Sequence, residues 1–152
     1  MKEMKIFAEN KKAYFNYEIL ERFEAGISLI GQEVKSIKLG RVNLSGSYII
    51  LKNNEVFLIG VNIPPYQSKN ISSDYNPERS RKLLLKKAEI KHLIGKAKQK
   101  GLTLVPLKAY TKKRKIKIEF GIAKGKKKTD KREVIKKREF KREKERELRL
   151  RG

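Results

Sequence analysis

The sequence predicts a mainly β protein with a few helices: a closed, antiparallel, OB-like β-barrel of about six strands, followed by a basic C-terminal tail. Three observations carry that expectation. Between residues 5 and 122, short stretches alternate apolar and polar side chains with few helices between them, which favours an antiparallel sheet closed on itself. At Gly125-Lys126-Lys127-Lys128-Thr129-Asp130-Lys131-Arg132 the alternation stops, and residues 133–152 hold only five apolar side chains, Val134, Ile135, Phe140, Leu148 and Leu150. The charge divides at the same place. Residues 124–152 carry 15 Lys/Arg against 6 Asp/Glu, a net +9 of the chain's +23, so residues 1–123 hold the remaining +14. The expected units are a barrel over 1–123 and a tail over 124–152, disordered when free and helix-forming when bound.

Each element has its own warrant. Lys5-Ile6-Phe7-Ala8 reads as a short strand, and Phe15, Tyr17 and Ile19 alternate as a half-buried one. The apolar phase slips at Leu20 and resumes at Phe23, Ile27 and Leu29, which predicts a bulge or break near Glu24-Ala25-Gly26. A short helix is expected over 32–39, with Ile30, Val34 and Ile37 on one face and Gly40 placed for a left-handed cap. Residues 48–51 and 56–59 form a hairpin around Asn53-Asn54, because Asn tolerates positive φ. Residues 62–80 carry loop chemistry over a length that connections seldom reach without a function. Ile90, Leu93, Ile94 and Ala97 mark a helix over about 86–100 that stops at Gly101. Leu102 to Tyr110 is a strand whose Pro106 places it at an edge or a bulge. Ile116, Ile118, Phe120 and Ile122 alternate with Lys115, Lys117 and Glu119, giving a last strand with a basic outer row.

Composition narrows the function. With no cysteine there are no disulfides or thiolate metal sites. No apolar run approaches the ~20 residues of a membrane span, and Met1-Lys2-Glu3-Met4-Lys5 has no signal-peptide apolar core, so the cytoplasm is the expected compartment. A pI near 10.2 calls for a polyanionic partner. Nucleic acid fits better than an anionic membrane, because the tail's scattered apolar residues make a poor amphipathic face.

Nothing in the sequence supports an enzyme, a cofactor or a metal site. The single histidine, His92, lacks the companions a metal site needs and reads as structural or surface. Gly121 to Lys127 only superficially resembles a phosphate loop: its spacing is one residue short and Lys127 stands where a hydroxyl is required. Arg79, Arg81 and Lys82 precede Leu83-Leu84-Leu85, which reads either as a helix entry with core leucines or as a phosphate clamp around one exposed leucine. Glu24 is either a salt-bridged carboxylate or an acceptor for base amino groups, a source of specificity that lysines cannot supply. Phe15 and Tyr17 read as core, with stacking on bases as the alternative. The tail reads as a solubilising segment, yet Glu133/Lys137, Glu145/Arg149 and Glu147/Arg151 are i,i+4 pairs in the favourable order. Each contributes ~0.2–0.5 kcal/mol, too little for a lone helix but enough to ready one for a polyanionic groove.

Six blocks, in order, resemble small protein B, the SsrA (tmRNA)-binding family of bacterial ribosome rescue. They are Phe23-Glu24-Ala25-Gly26, Gly31-x-Glu33-Val34-Lys35-Ser36, Asn43-Leu44, Pro77-x-Arg79-x-Arg81-Lys82-Leu83-Leu84-Leu85, Gly101-x-Thr103-Leu104-Val105-Pro106-Leu107, and Gly121-x-Ala123-Lys124-Gly125-Lys126-Lys127-x-x-Asp130-Lys131-Arg132. The resemblance implies an OB-like barrel that binds the tRNA-like domain of tmRNA, as a monomer in a 1:1 complex, and enters the vacant A site of stalled ribosomes. It places RNA-binding roles on Glu24, Leu84 and Lys117; the cations Arg79, Arg81, Lys82 and Lys124 are added as RNA-binding candidates from their charge and position in the sequence. It assigns ribosome engagement at the decoding centre and empty mRNA channel to the tail: Lys126, Lys127, Asp130, Lys131, Arg132, Phe140 and Leu148. Many relatives carry a histidine before the first long strand that is thought to reach the decoding centre, and Phe15 stands there in this chain. The alternative expectation is a general basic OB-type protein of ribosomal or single-strand-binding character.

Overall fold

The computed structural model describes residues 4–67 and 74–126, together with Arg142. In chain order the elements are β1 (Lys5–Glu9), α1 (Lys11–Asn16), β2 (Tyr17–Ile27), α2 (Gly31–Lys38), β3 (Tyr48–Lys52), β4 (Glu55–Ile59), β5 (Arg81–Leu84), α3 (Lys87–Ala97), β6 (Leu102–Lys112) and β7 (Lys115–Gly125). Among the described residues the strands form one seven-stranded sheet in the order β1-β6-β7-β2-β5-β4-β3, and every pairing is antiparallel. At its centre β7 pairs along nearly its whole length with β2 on one side and β6 on the other.

Two expectations need correction. First, the sheet is not a closed barrel: β1 and β3 end the strand order and no ladder joins them. A cleft of about 290 Å³ lies instead between β3 and β6, lined by Ile50, Ala97, Thr103 and Leu104. Lys96 and Ala97, at the C-terminal end of α3, line the same cleft. Second, Phe15 is in a helix, not a strand. Its chain leaves the sheet at Asn10, whose N–H donates to the Leu107 carbonyl at 2.7 Å and whose Nδ2 donates to the Pro106 carbonyl at 2.9 Å. Pro106 sits at a bulge in the β6–β7 ladder, beyond the last β1–β6 pair. With the β1 ladder finished, residues 11–16 turn over the bulge and bury Ala13 against Val105 and Leu107.

The slip at Leu20 is itself the bulge expected a few residues later: the β2–β7 register shifts between Ile19 and Glu21, and Leu20 is left exposed. Gly121 accommodates it, because a Cβ there would lie 2.8 Å from the Glu21 carbonyl. The helix over 31–38 and the Asn53-Asn54 hairpin form as expected, with φ of 52° and 60° at the two asparagines and 79° at Gly40. The alternation of β7 holds, with Ile116, Ile118, Phe120 and Ile122 all buried. They meet Leu58, Leu83, Leu93 and Ile37 in the main core, leaving the opposite face of β7 and its neighbours for polar work.

Candidate nucleic-acid interface

Strand β5 alternates strictly. Arg81 and Leu83 point inward, fully buried, while Lys82 and Leu84 point out. Leu83 and Leu84 therefore end a strand that displays one leucine, and Leu85 lies in the link to α3. Leu84 is 53% exposed, and burying that remainder against a partner would contribute about half of the ~1.5–3 kcal/mol of a fully exposed leucine. Register then builds a row across the outer face. Leu84 pairs with Gly26, Gly26 with Lys117, Lys117 with Tyr110, and Tyr110 with Ile6. Gly26 is the gap in that row: a Cβ there would press on the Leu84 side chain at 3.3 Å. Without one, a groove of about 370 Å³ opens, bordered by Gly26, Leu84, Arg114, Lys115 and Lys117.

Glu24 lies two residues along β2 on the same face. The Tyr110 hydroxyl donates to its Oε2, and the Lys112 ammonium approaches its Oε1 at 3.4 Å. The Tyr110 bond, assisted by Lys112 and Lys117 and opposed by partial burial, holds the Glu24 carboxyl below its ordinary range. Burial and the Glu24 bond push the Tyr110 hydroxyl well above its ordinary range, so it remains a donor. Glu24 is thus a fixed anion on a cationic face, with lone pairs left to accept from a ligand. Glu24, Leu84 and Lys117 come together, and Lys82 shares their face while pairing with Glu55 at 3.3 Å.

Arg81 does not join them. Its guanidinium is fully buried and donates to Glu33, to the Val61 carbonyl at 2.7 Å and to the Pro77 carbonyl at 2.9 Å. It has no surface to offer a phosphate; it anchors β5 to α2. Arg79 pairs with the same Glu33 from a third-exposed position. Glu33 also accepts from the Ile30 N–H at 3.0 Å, capping α2, and from the Tyr75 hydroxyl at 3.3 Å. Burial pushes its carboxyl up, but the bonds from Arg79, Ile30 and Arg81 outweigh it and the net displacement is downward. Sequence reasoning missed this cluster, since the partners lie up to 48 positions apart. The one available signal was the acid at the third position of α2. Tyr110, the orienting group for Glu24, was missed for the same reason.

A second group gathers at the other end of the sheet. Lys124 is exposed near the end of β7, seven positions and roughly 23 Å along the strand from Lys117. Lys126 is held to α1, its N–H donating to the Asn16 carbonyl and its Nζ to the Tyr14 carbonyl, both at 2.9 Å. Half-buried Phe15 lies on that helix. The expected tail positions Lys127, Asp130, Lys131, Arg132, Phe140 and Leu148 lie outside the described residues. His92 is on the surface, bonded to Glu21 at 2.7 Å. Among the described residues no group of His, Asp and Glu is placed to hold a metal, and no helix is long and apolar enough to cross a membrane.

Known proteins resemble this chain over nearly its whole length. The family model described as SmpB protein matches residues 7–150. The SsrA-binding protein of Carboxydothermus hydrogenoformans is 55% identical, the match covering 97% of this chain and 98% of that one. Its counterpart from Thermosynechococcus vestitus is 50% identical over 97% of each chain. A solved structure described as "tmRNA-SmpB: a journey to the center of the bacterial ribosome" superposes with a TM-score of 0.66 at 44% identity, covering 84% of this chain and 93% of that one.

Proposed function

This chain belongs to the SmpB family, and on that premise we propose that it is the tmRNA-binding adaptor of trans-translation, a non-catalytic RNA-binding protein of the cytoplasm. It binds the tRNA-like domain of tmRNA as a monomer in a 1:1 complex and brings it to the vacant A site of stalled ribosomes. One observation carries the RNA role: the Leu84–Gly26–Lys117 row beside a carboxylate fixed by Tyr110. Such a face joins an apolar contact, a phosphate-binding cation and an acceptor for base or ribose donors, the three chemistries a folded RNA demands. Lys82 extends the cationic border of that face, and the third-exposed Arg79 stays paired with Glu33. Lys124 and Phe15 belong to the opposite end, where the tail departs.

In this reading the segment from Lys126 onward, with Lys127, Asp130, Lys131, Arg132, Phe140 and Leu148, enters the empty mRNA channel. Its cations suit a phosphate-lined passage, and its i,i+4 pairs suit ordering there. The test compares the full chain with one ended after Lys128. Gel shifts compete tmRNA against tRNA and single strands of equal length, and a tagging assay uses ribosomes lacking downstream message. Both proteins are expected to prefer the tRNA-like RNA, and only the full chain to support tagging. Equal affinity for single strands would overturn the RNA reading, and tagging by the shortened chain would overturn the tail's role.

A further inference from the structure

Among the described residues the sheet contains two tight hairpins whose turn residues share left-handed φ values and carry opposite chemistry. Between β3 and β4 the turn residues are Asn53 and Asn54, at φ of 52° and 60°. Between β6 and β7 they are Lys113 and Arg114, at φ of 51° and 65°. Both turns need two consecutive left-handed residues, a demand met at little cost by Asn or Gly and resisted by long side chains with an ordinary Cβ. The second turn adds an electrostatic conflict, because Lys112 and Lys115 stand directly opposite each other across the strands. Among the described residues, only Lys112 of these four consecutive cations has a carboxylate neighbour, Glu24. Among the described residues none lies within ion-pair distance of Lys113, Arg114 or Lys115. Turn chemistry and charge both oppose this sequence at this place. Arg114 and Lys115 border the groove that Leu84 and Lys117 flank.

We propose that the β6–β7 hairpin tip is a phosphate clamp at the rim of that groove, and that Lys113 and Arg114 hold unfavourable backbone positions because their cations contact the RNA backbone there. Residues in disfavoured backbone regions persist where function requires them, and such strain is common at ligand clamps. The inference rests on the RNA-binding reading above and adds to it two contact residues and a trade between stability and affinity.

The test replaces the strained pair with the asparagines of the other hairpin, Lys113→Asn with Arg114→Asn. A control removes two exposed cations elsewhere, Lys52→Asn with Lys91→Asn. The full-length proteins are titrated with a transcribed tRNA-like domain and with a single strand of equal length, over a range of salt, and their melting temperatures are recorded. The tip variant is expected to melt a few degrees higher and to bind the tRNA-like RNA about tenfold more weakly, its log K against log salt slope shallower by about 1 to 2. The control is expected to lose less than about threefold. Unchanged affinity in the tip variant, or an equal loss in the control, would overturn the clamp. A tip variant that melts no higher than the parent would overturn the stored strain. Parent protein that binds single strands as well as the tRNA-like RNA would overturn the RNA reading and this inference together.

Discussion

Glu33 and Glu24 are both acids held by cations and a tyrosine, and they do opposite things. Glu33 is fully buried, gripped by Arg79 and Arg81 and bonded by Tyr75. Glu24 is about a third exposed, bonded by Tyr110 and faced by Lys112 at a longer distance. The residue types are nearly the same, and burial decides the outcome. Inside, every lone pair and guanidinium proton must find a partner within the chain, so the charges hold α2, β5 and the 74–80 segment together. Outside, the same pairing leaves bonding capacity over for a ligand. A basic protein therefore need not present all its conspicuous arginines, and this one shields one of the two in its Arg79-x-Arg81-Lys82 block.

The comparison breaks most visibly if Glu33 is changed. Glu33→Gln leaves Arg81 as an uncompensated buried cation and should cost ~3–5 kcal/mol, the usual penalty for removing one member of a buried pair. Urea denaturation reads it directly. A loss below about 1 kcal/mol would show that the cluster is relayed by water and does not hold the fold.

Acid sharpens the same contrast. The folded Glu33 carboxyl lies below its ordinary value of 4.5, so the unfolded chain binds more protons in that range. Its contribution is fully present above about 4.5 and is lost as pH falls through the folded value. Glu24 is displaced in the same direction, but its exposure to solvent screens the effect. Melting temperature followed downward from pH 6 should therefore fall, and Glu33→Gln should flatten the fall far more than Glu24→Gln. Equal flattening by the two would erase the distinction.

How much of this was legible in the sequence depended on whether the signal was local. Asn53-Asn54 declared its hairpin, Pro106 its bulge and the β7 alternation its buried face, because turn chemistry and period-2 patterning act over a few residues. The outward phase of Lys117 was legible from the alternation of its strand, whereas an exposed leucine in the triplet was only one of two open readings, and Leu84 was singled out by the family resemblance. The interior role of Arg81 was not, since it depends on a carboxylate 48 positions away. The Lys113-Arg114 turn carries no turn signal at all. Helix α1 hid behind a chance alternation, and the open seam between β3 and β6 depends on where α3 packs, which no strand pattern reports.

On the outer face the expected effects move from stability to affinity. Lys117→Ala removes a half-buried surface cation next to Gly26, so its melting temperature should stay within a degree or two of the parent. Its affinity for the tRNA-like RNA should fall, and the salt slope should shrink by about 1, as for the loss of one phosphate contact. Normal melting with normal affinity would remove Lys117 from the interface and leave the groove with a single flank.

Glu24→Gln gives the smallest change and the most diagnostic one. The substitution keeps the side chain's shape and lets the Tyr110 hydroxyl bond an amide oxygen, so little stability is at stake. On charge alone, removing an anion from a chain of +23 should strengthen binding to every RNA. A carboxylate that accepts bonds from the bases or riboses of one folded RNA predicts a different pattern: nonspecific single strands bind slightly better, while the tRNA-like RNA binds worse because an amide nitrogen replaces one acceptor. Selectivity, the ratio of the two affinities, is the quantity to measure, and it should fall severalfold even where each affinity moves little. If both affinities rise together, Glu24 is an ion-pair partner for Lys112 and nothing more, and its resemblance to Glu33 is closer than their burial implies.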